Sequence, residues 1–121
     1  MAGEIKILEF IEGVTTLAPN QIGSYDFANS AEKTSSYVIT DTDRLNLIIA
    51  SGSGTTITLP STTNNIGRVI SIKRNDSSNS ITIARNNSSD AIDGSTSDLV
   101  IDQDLKSIKL AIIGINKVVV I

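Results

Sequence analysis

Apolar and polar positions alternate in short bursts along most of this chain. Ile57 and Leu59 alternate with Thr, Ile70 and Ile72 flank Ser71, and Ile81 and Ile83 flank Thr82. A period of two sends successive side chains to opposite faces of a strand, so each burst predicts a strand with Ile or Leu toward a core. Loops of Asn, Ser, Asp and Gly separate the bursts. Further strands are predicted at 37–40, 45–50, 55–59, 68–74, 80–85, 99–101, 106–113 and 117–121, with a brief pairing at 91–92. Asn75–Asn79 reads as the turn of a hairpin joining 68–74 to 80–85. Asp93-Gly94 and Gly114-Ile115-Asn116 read as tight turns, and Gly67 as a position needing a backbone that other residues resist.

The first 36 residues do not share this rhythm. Residues 4–12 place Ile5 and Ile7 on one side of a strand and Leu8 and Phe10 on the other; as a helix, Ile7, Leu8 and Ile11 form a stripe. A short apolar run does not settle the choice, and a strand or extended arm is the preferred reading. Residues 14–35 read mostly as a connection, with Pro19-Asn20 and Gly23-Ser24 as turns and Val14, Leu17, Ile22, Tyr25 and Phe27 as scattered anchors; its length suggests that it contains a strand the pattern does not place or that it packs on a neighbouring subunit. The expected division is an arm and connector over 1–36 and a β domain over 37–121. The run Val118–Ile121 is apolar on both faces and needs a cover, either the domain's own second layer or another subunit.

Composition supports an all-β chain. Isoleucine is the commonest residue, aromatics make up 3%, and there are two prolines; β-branched residues suit a pleated surface. Several short strands at close spacing point to an antiparallel β-sandwich or jelly-roll-like barrel. The formal charge is −3. The densest basic spot, Lys73-Arg74 with Arg68 on the same strand, falls short of a nucleic-acid footprint. No run is long enough for a membrane-spanning helix, and the first residues lack the pattern of a signal peptide, so synthesis in a cytoplasm is expected without membrane insertion.

Candidate chemistry is sparse. The chain has no His and no Cys, which removes Ser-His-Asp and Cys-His nucleophiles and conventional zinc sites. Asp41, Asp43, Asp90, Asp93, Asp98, Asp102 and Asp104 could be read as calcium ligands or paired catalytic acids. Their spacing fits no calcium loop, and Asp capping backbone N–H groups in turns is the preferred reading. No metal, cofactor or catalytic residue is assigned. Arg68, Lys73, Arg74 and Arg85 could meet acids on a partner subunit; a solvated face is the preferred reading for each. Tyr25, Phe27 and Tyr37 are the aromatics nearest polar loops, better suited to packing than to stacking on sugars.

The order of these pieces is also familiar. Ile57-Thr-Leu-Pro60, Gly67-Arg-Val-Ile-Ser-Ile-Lys73, Ile81-Thr-Ile83, Ala91-Ile-Asp-Gly94 and Leu99-Val-Ile101, with a last hairpin over 106–121, resemble a module of bacteriophage tail-fibre and other virion surface proteins. Lys117 stands where that module usually carries an aromatic. The resemblance covers about 37–121 and implies a β-structured, trimeric, non-enzymatic component of a virion, made in the host cytoplasm. The short chain favours a head fibre, capsid decoration or short tail-fibre protein. Its expected partners are two further copies and other capsid or tail proteins, with host glycan as the alternative for a fibre tip. On this reading Ile5, Ile7, Leu8, Phe10 and Ile11 attach the protein to the particle, and Val118, Val120 and Ile121 lie at the subunit interface.

Overall fold

The computed structural model describes residues 29–103 and 106–121. Among them are ten strands and no helix. The strands are β1 (Ser30–Lys33), β2 (Tyr37–Val38), β3 (Leu47–Ala50), β4 (Thr56–Thr58), β5 (Val69–Arg74), β6 (Ile81–Ala84), β7 (Ala91–Ile92), β8 (Leu99–Ile101), β9 (Ser107–Gly114) and β10 (Lys117–Val120). They form a six-stranded sheet in the order β1-β3-β5-β9-β10-β7 and a four-stranded sheet in the order β2-β4-β6-β8.

The chain passes back and forth between the two sheets. The odd strands β1, β3 and β5 stack in parallel in one, and the even strands β2, β4 and β6 stack in parallel in the other. Each successive pair is thus one rung of a solenoid-like stack. The stack is closed at one end by reversals: β9 runs antiparallel to β5, β10 to β9, and β8 to β6.

The all-β expectation holds, and the sheets are mixed rather than antiparallel: five of the eight strand pairings are parallel. The expected hairpin of 68–74 with 80–85 is corrected, since β5 and β6 lie in different sheets. The cause is in the turn. The Asp76 carboxylate accepts the Ser78 and Asn79 amides at 2.8 Å each and also the Gly52 amide of the preceding rung at 2.7 Å. The turn therefore arches over to the second sheet alongside the rung below it, instead of reversing in the plane of the first. The 106–121 hairpin does form, with a bulge between Lys117 and Val118.

β1 lies inside the 14–35 connection, whose length suggests a strand that the sequence does not place. It is an edge strand whose sequence, Ser-Ala-Glu-Lys, carries no large apolar residue; parallel pairing of Ser30–Lys33 with Leu47–Ala50 holds it.

The alternation is realised in the core. Ile48, Ile70, Ile72, Leu110 and Ile112 of one sheet meet Ile57, Ile81, Ile83 and Ile101 of the other, all at most 1% exposed. Register aligns them: Ile48 stands beside Ile72 and Ile72 beside Ile108, while Ile57 stands beside Ile83. Cross-strand pairs of β-branched side chains are the unit of stabilisation in such sheets.

Candidate functional site

The loops at one end of the stack gather around Arg68. Arg68 is carried out of β5's start by Gly67, whose φ of +94° is one that Cβ-bearing residues avoid. Its Nη2 donates to Asp43 Oδ1 at 2.8 Å and to the Leu45 carbonyl at 2.7 Å; its Nη1 donates to the Thr40 carbonyl at 2.9 Å and to Asn65 Oδ1 at 3.0 Å. A single guanidinium thus fastens the 40–45 loop to the 61–68 loop, using the planar fork that lysine lacks.

Asp43 is the opposite pole. Its Oδ2 accepts from the Tyr37 hydroxyl at 2.8 Å and from the Thr40 amide at 2.7 Å, and Oδ1 accepts from the Leu45 amide at 3.0 Å. Burial pushes this carboxyl up. The Leu45 and Thr40 amides, the Tyr37 hydroxyl and Arg68 outweigh burial and hold it at about 2, below the ordinary 3.8. The same hydrogen bond to Asp43, with burial and Asp43's charge adding to it, raises the Tyr37 phenol above its ordinary value. Tyr37 packs against the core, and Lys33 Nζ sits 3.9 Å from its ring centroid.

Asp41 stands at the mouth of the same loop cluster. Asn64 and Asn65 donate to its two oxygens at 2.9 and 2.8 Å, holding its carboxyl below the ordinary range. Asp41, Thr42, Arg44, Asn65, Gly67 and Arg68 line a groove of about 490 Å³. Arg44 has φ of +61°, uncommon for a residue with a Cβ.

A second polar knot lies near β7 and the β9–β10 turn. Asp90, 2% exposed, accepts from Asn116 Nδ2 at 2.8 Å, Thr62 Oγ1 at 3.3 Å and the Asn87 amide at 3.2 Å, while Thr62 Oγ1 accepts the Asn116 amide at 2.9 Å. Asp98 accepts the Arg85 amide and Nε, each at 3.0 Å, and these bonds hold its carboxyl down. Asp93 and Gly94 both have positive φ and form the expected tight turn, closed by Ile92 and Ser95 bonding each other's backbone.

The sequence-predicted residues divide as follows. Asp41, Asp43, Asp90 and Asp98 accept hydrogen bonds within the loops, Asp93 accepts the Val120 amide of β10 at 3.0 Å, and among the described residues no three acids converge as a metal site would need. The solvated reading of the basic residues is corrected for Arg68, Arg74 and Arg85, the last with its side chain 18% exposed and donating to Asp98 and to the Ser88 and Asp90 carbonyls. Arg68 has 15% of its side chain exposed because it clamps two loops, and Arg74 is 4% exposed with its Nε donating to the Asn79 carbonyl at 2.6 Å. Val118 belongs to the protomer's own core at 2% exposure, so it has no surface to offer a neighbour; Val120 and Ile121 are 38% and 65% exposed. Ile5, Ile7, Leu8, Phe10 and Ile11, with Tyr25, Phe27 and Asp104, lie outside the described residues. The amides Asn64, Asn65 and Asn116 and the hydroxyl of Thr62 are not singled out by sequence. Their only signal there is the density of Asn and Thr beside Asp in loops.

Comparison with protein families, with curated proteins and with solved structures finds no match.

Proposed function

We propose that this protein is a non-enzymatic structural component of a bacteriophage virion: a homotrimeric head-fibre, capsid-decoration or short tail-fibre protein. The observation that carries the reading is a stiff double-sheet stack that leaves large apolar side chains in water. Ile113, Ile115 and Ile121 are 56%, 60% and 65% exposed. Burying such side chains between subunits is the ordinary source of stability in obligate assemblies. In the finer form of the proposal each protomer is a β-sandwich-like unit, three of them surround an axis, and Ile121 with Val120 contributes to the contact. Ile5, Ile7, Leu8, Phe10 and Ile11 attach the trimer to capsid or tail.

Light scattering coupled to size exclusion tests the assembly. The expected mass is about 38 kDa, three chains of 12.8 kDa; a monomer at all concentrations overturns it. Deleting residues 1–13 should abolish incorporation into particles without unfolding the β domain, and normal incorporation of the truncated chain sinks the attachment role.

The groove of about 490 Å³ beside Asp41 and Arg68 favours a second reading, a receptor- or glycan-binding module at a fibre tip. Its size falls within the range of ligand sites. Binding of host envelope polysaccharide by the isolated protein, lost in Asp41→Ala, would decide for it.

A further inference from the structure

Among the described residues the left-handed backbone falls on Gly52, Gly54, Gly67, Gly94, Asp93 and Asn116, all of kinds that tolerate it, and on Arg44 at φ of +61°. A long side chain there costs backbone energy that Gly or Asn avoids, and such outliers gather where a side chain has a task. Within the fold Arg44 has none. It is exposed, and its guanidinium makes no hydrogen bond or ion pair with another described residue. An exposed arginine on ordinary backbone needs no account; this one stands where the chain otherwise places glycine, asparagine or aspartate.

Arg44 lines the groove of about 490 Å³ with Asp41, Thr42 and Val69. The other guanidinium of the groove, Arg68, is already paired with Asp43 at 2.8 Å, so Arg44 is the cation left for an incoming group. Asp41 takes one amide on each oxygen, from Asn64 at 2.9 Å and Asn65 at 2.8 Å. Each oxygen of a carboxylate accepts a further bond, and the exposed Thr42 hydroxyl both donates and accepts. The groove therefore sets a fixed acceptor and a hydroxyl beside an uncommitted, planar cation.

We infer that this groove takes a hexuronate unit of an acidic polysaccharide, its carboxylate on Arg44 and its ring hydroxyls on Asp41 and Thr42. The fork of Arg44 matches a carboxylate with two parallel bonds. A neutral sugar leaves Arg44 unanswered. A phosphate group, with more charge and fewer hydroxyl donors, meets the fixed negative charge of Asp41. No aromatic side chain of the described residues lines the groove, so binding is polar and weakens as salt rises. The inference rests on the second reading above and names its ligand.

The test is a titration of the full chain, followed by amide NMR shifts, with oligomers of galacturonic and glucuronic acid, the methyl-esterified galacturonate oligomer and inorganic phosphate. A uronate oligomer should shift the 41–44 and 65–69 amides. The methyl ester, which lacks the charge, should bind about tenfold more weakly or worse. Arg44→Gly and Arg44→Asn keep the left-handed backbone, so both should lose binding by a similar factor while melting no lower than the natural protein. Equal binding of acid and ester, phosphate binding as tightly as uronate, or full binding by both variants overturns the inference. Envelope polysaccharide that binds through Asp41 and is indifferent to Arg44→Gly overturns it too, and leaves the second reading standing. A protein that binds no saccharide at all overturns both.

Discussion

Arg68 Nη2 lies 2.8 Å from Asp43 Oδ1, and each residue spends its remaining capacity on the backbone and side chains of two loops. Both side chains are only 15% exposed, so neither charge has much water to fall back on. Removing one partner strands the other, and that cost exceeds what the pair adds as a pair. Arg68→Ala is expected to destabilise the fold by about 2–3 kcal/mol, a value below the 3–5 typical of fully buried pairs because some solvent reaches this one. Arg68→Lys should recover less than half of the loss, since an ammonium cannot span Thr40, Asn65, Asp43 and Leu45 together. Urea denaturation midpoints of the two variants check both numbers.

The same carboxylate sets a dependence on pH. Asp43 titrates at about 2 in the fold against an ordinary value of 3.8, and the Asp41, Asp76 and Asp98 carboxyls are also held low. A carboxyl with a depressed folded value releases its proton more readily folded than unfolded. Its contribution to stability is complete above the unfolded value and is lost as pH falls through the window toward the folded one. Stability should therefore be flat from neutral pH down to about 5 and then decline. Asp43→Asn should be less stable at neutral pH and show a shallower acid decline between about 4 and 2. Equal acid slopes for the variant and the natural protein would show that Asp43 is not a source of the decline.

Gly52 and Gly54 separate two reasons for glycine in one turn. Gly52 has φ of +101°, and a Cβ there would run into the Thr34 carbonyl. Gly54 has φ of +71°, and a Cβ would meet nothing within 4 Å. Gly54→Ala should lose roughly 1 kcal/mol, the conformational term alone. Gly52→Ala should lose about 2–4 kcal/mol, because the rung boundary must also move away from β1's exit. Thermal melting of the two variants gives the ordering, and equal losses would mean that the Thr34 contact relaxes freely.

The strand positions were legible because buried apolar residues recur at every second position along most strands between Ile48 and Ile112, with Ser71 of β5 buried between two of them. The pairing was not. Alternation reports which side of a strand is buried and carries nothing about which strand lies beside it. Asp76 reads in sequence as an ordinary turn residue; its bond to Gly52, in the preceding rung, is a long-range fact that local pattern cannot carry. β1 could be suspected from the length of the 14–35 connection but not placed, since Ser30–Lys33 gains its position from backbone pairing with β3 and little from its own side chains. The aspartates were legible as loop acceptors from their residue type. Arg68 was not legible as a clamp, because its acceptors include the Thr40 and Leu45 carbonyls, and backbone carbonyls occur at every position.

The knot at Asp90 offers the most direct test of coupling between distant loops. Thr62 Oγ1 donates to Asp90 and accepts the Asn116 amide, so one hydroxyl joins three segments of chain at a site where Asp90 is 2% exposed and Thr62 4%. Thr62→Val keeps the shape and removes both bonds, leaving the Asn116 amide without its acceptor; a loss of about 1–3 kcal/mol is expected. Asn116→Ala removes the 2.8 Å donor to Asp90 and also a residue at φ of +61°. Asn116→Gly is therefore the better partner in a cycle, because it preserves the backbone while deleting the amide. The two losses should fall short of additive by about 0.5–2 kcal/mol, since each variant already disables the shared network. Denaturation of the single and double variants measures that coupling, and strict additivity would show that Thr62 and Asn116 bind Asp90 independently.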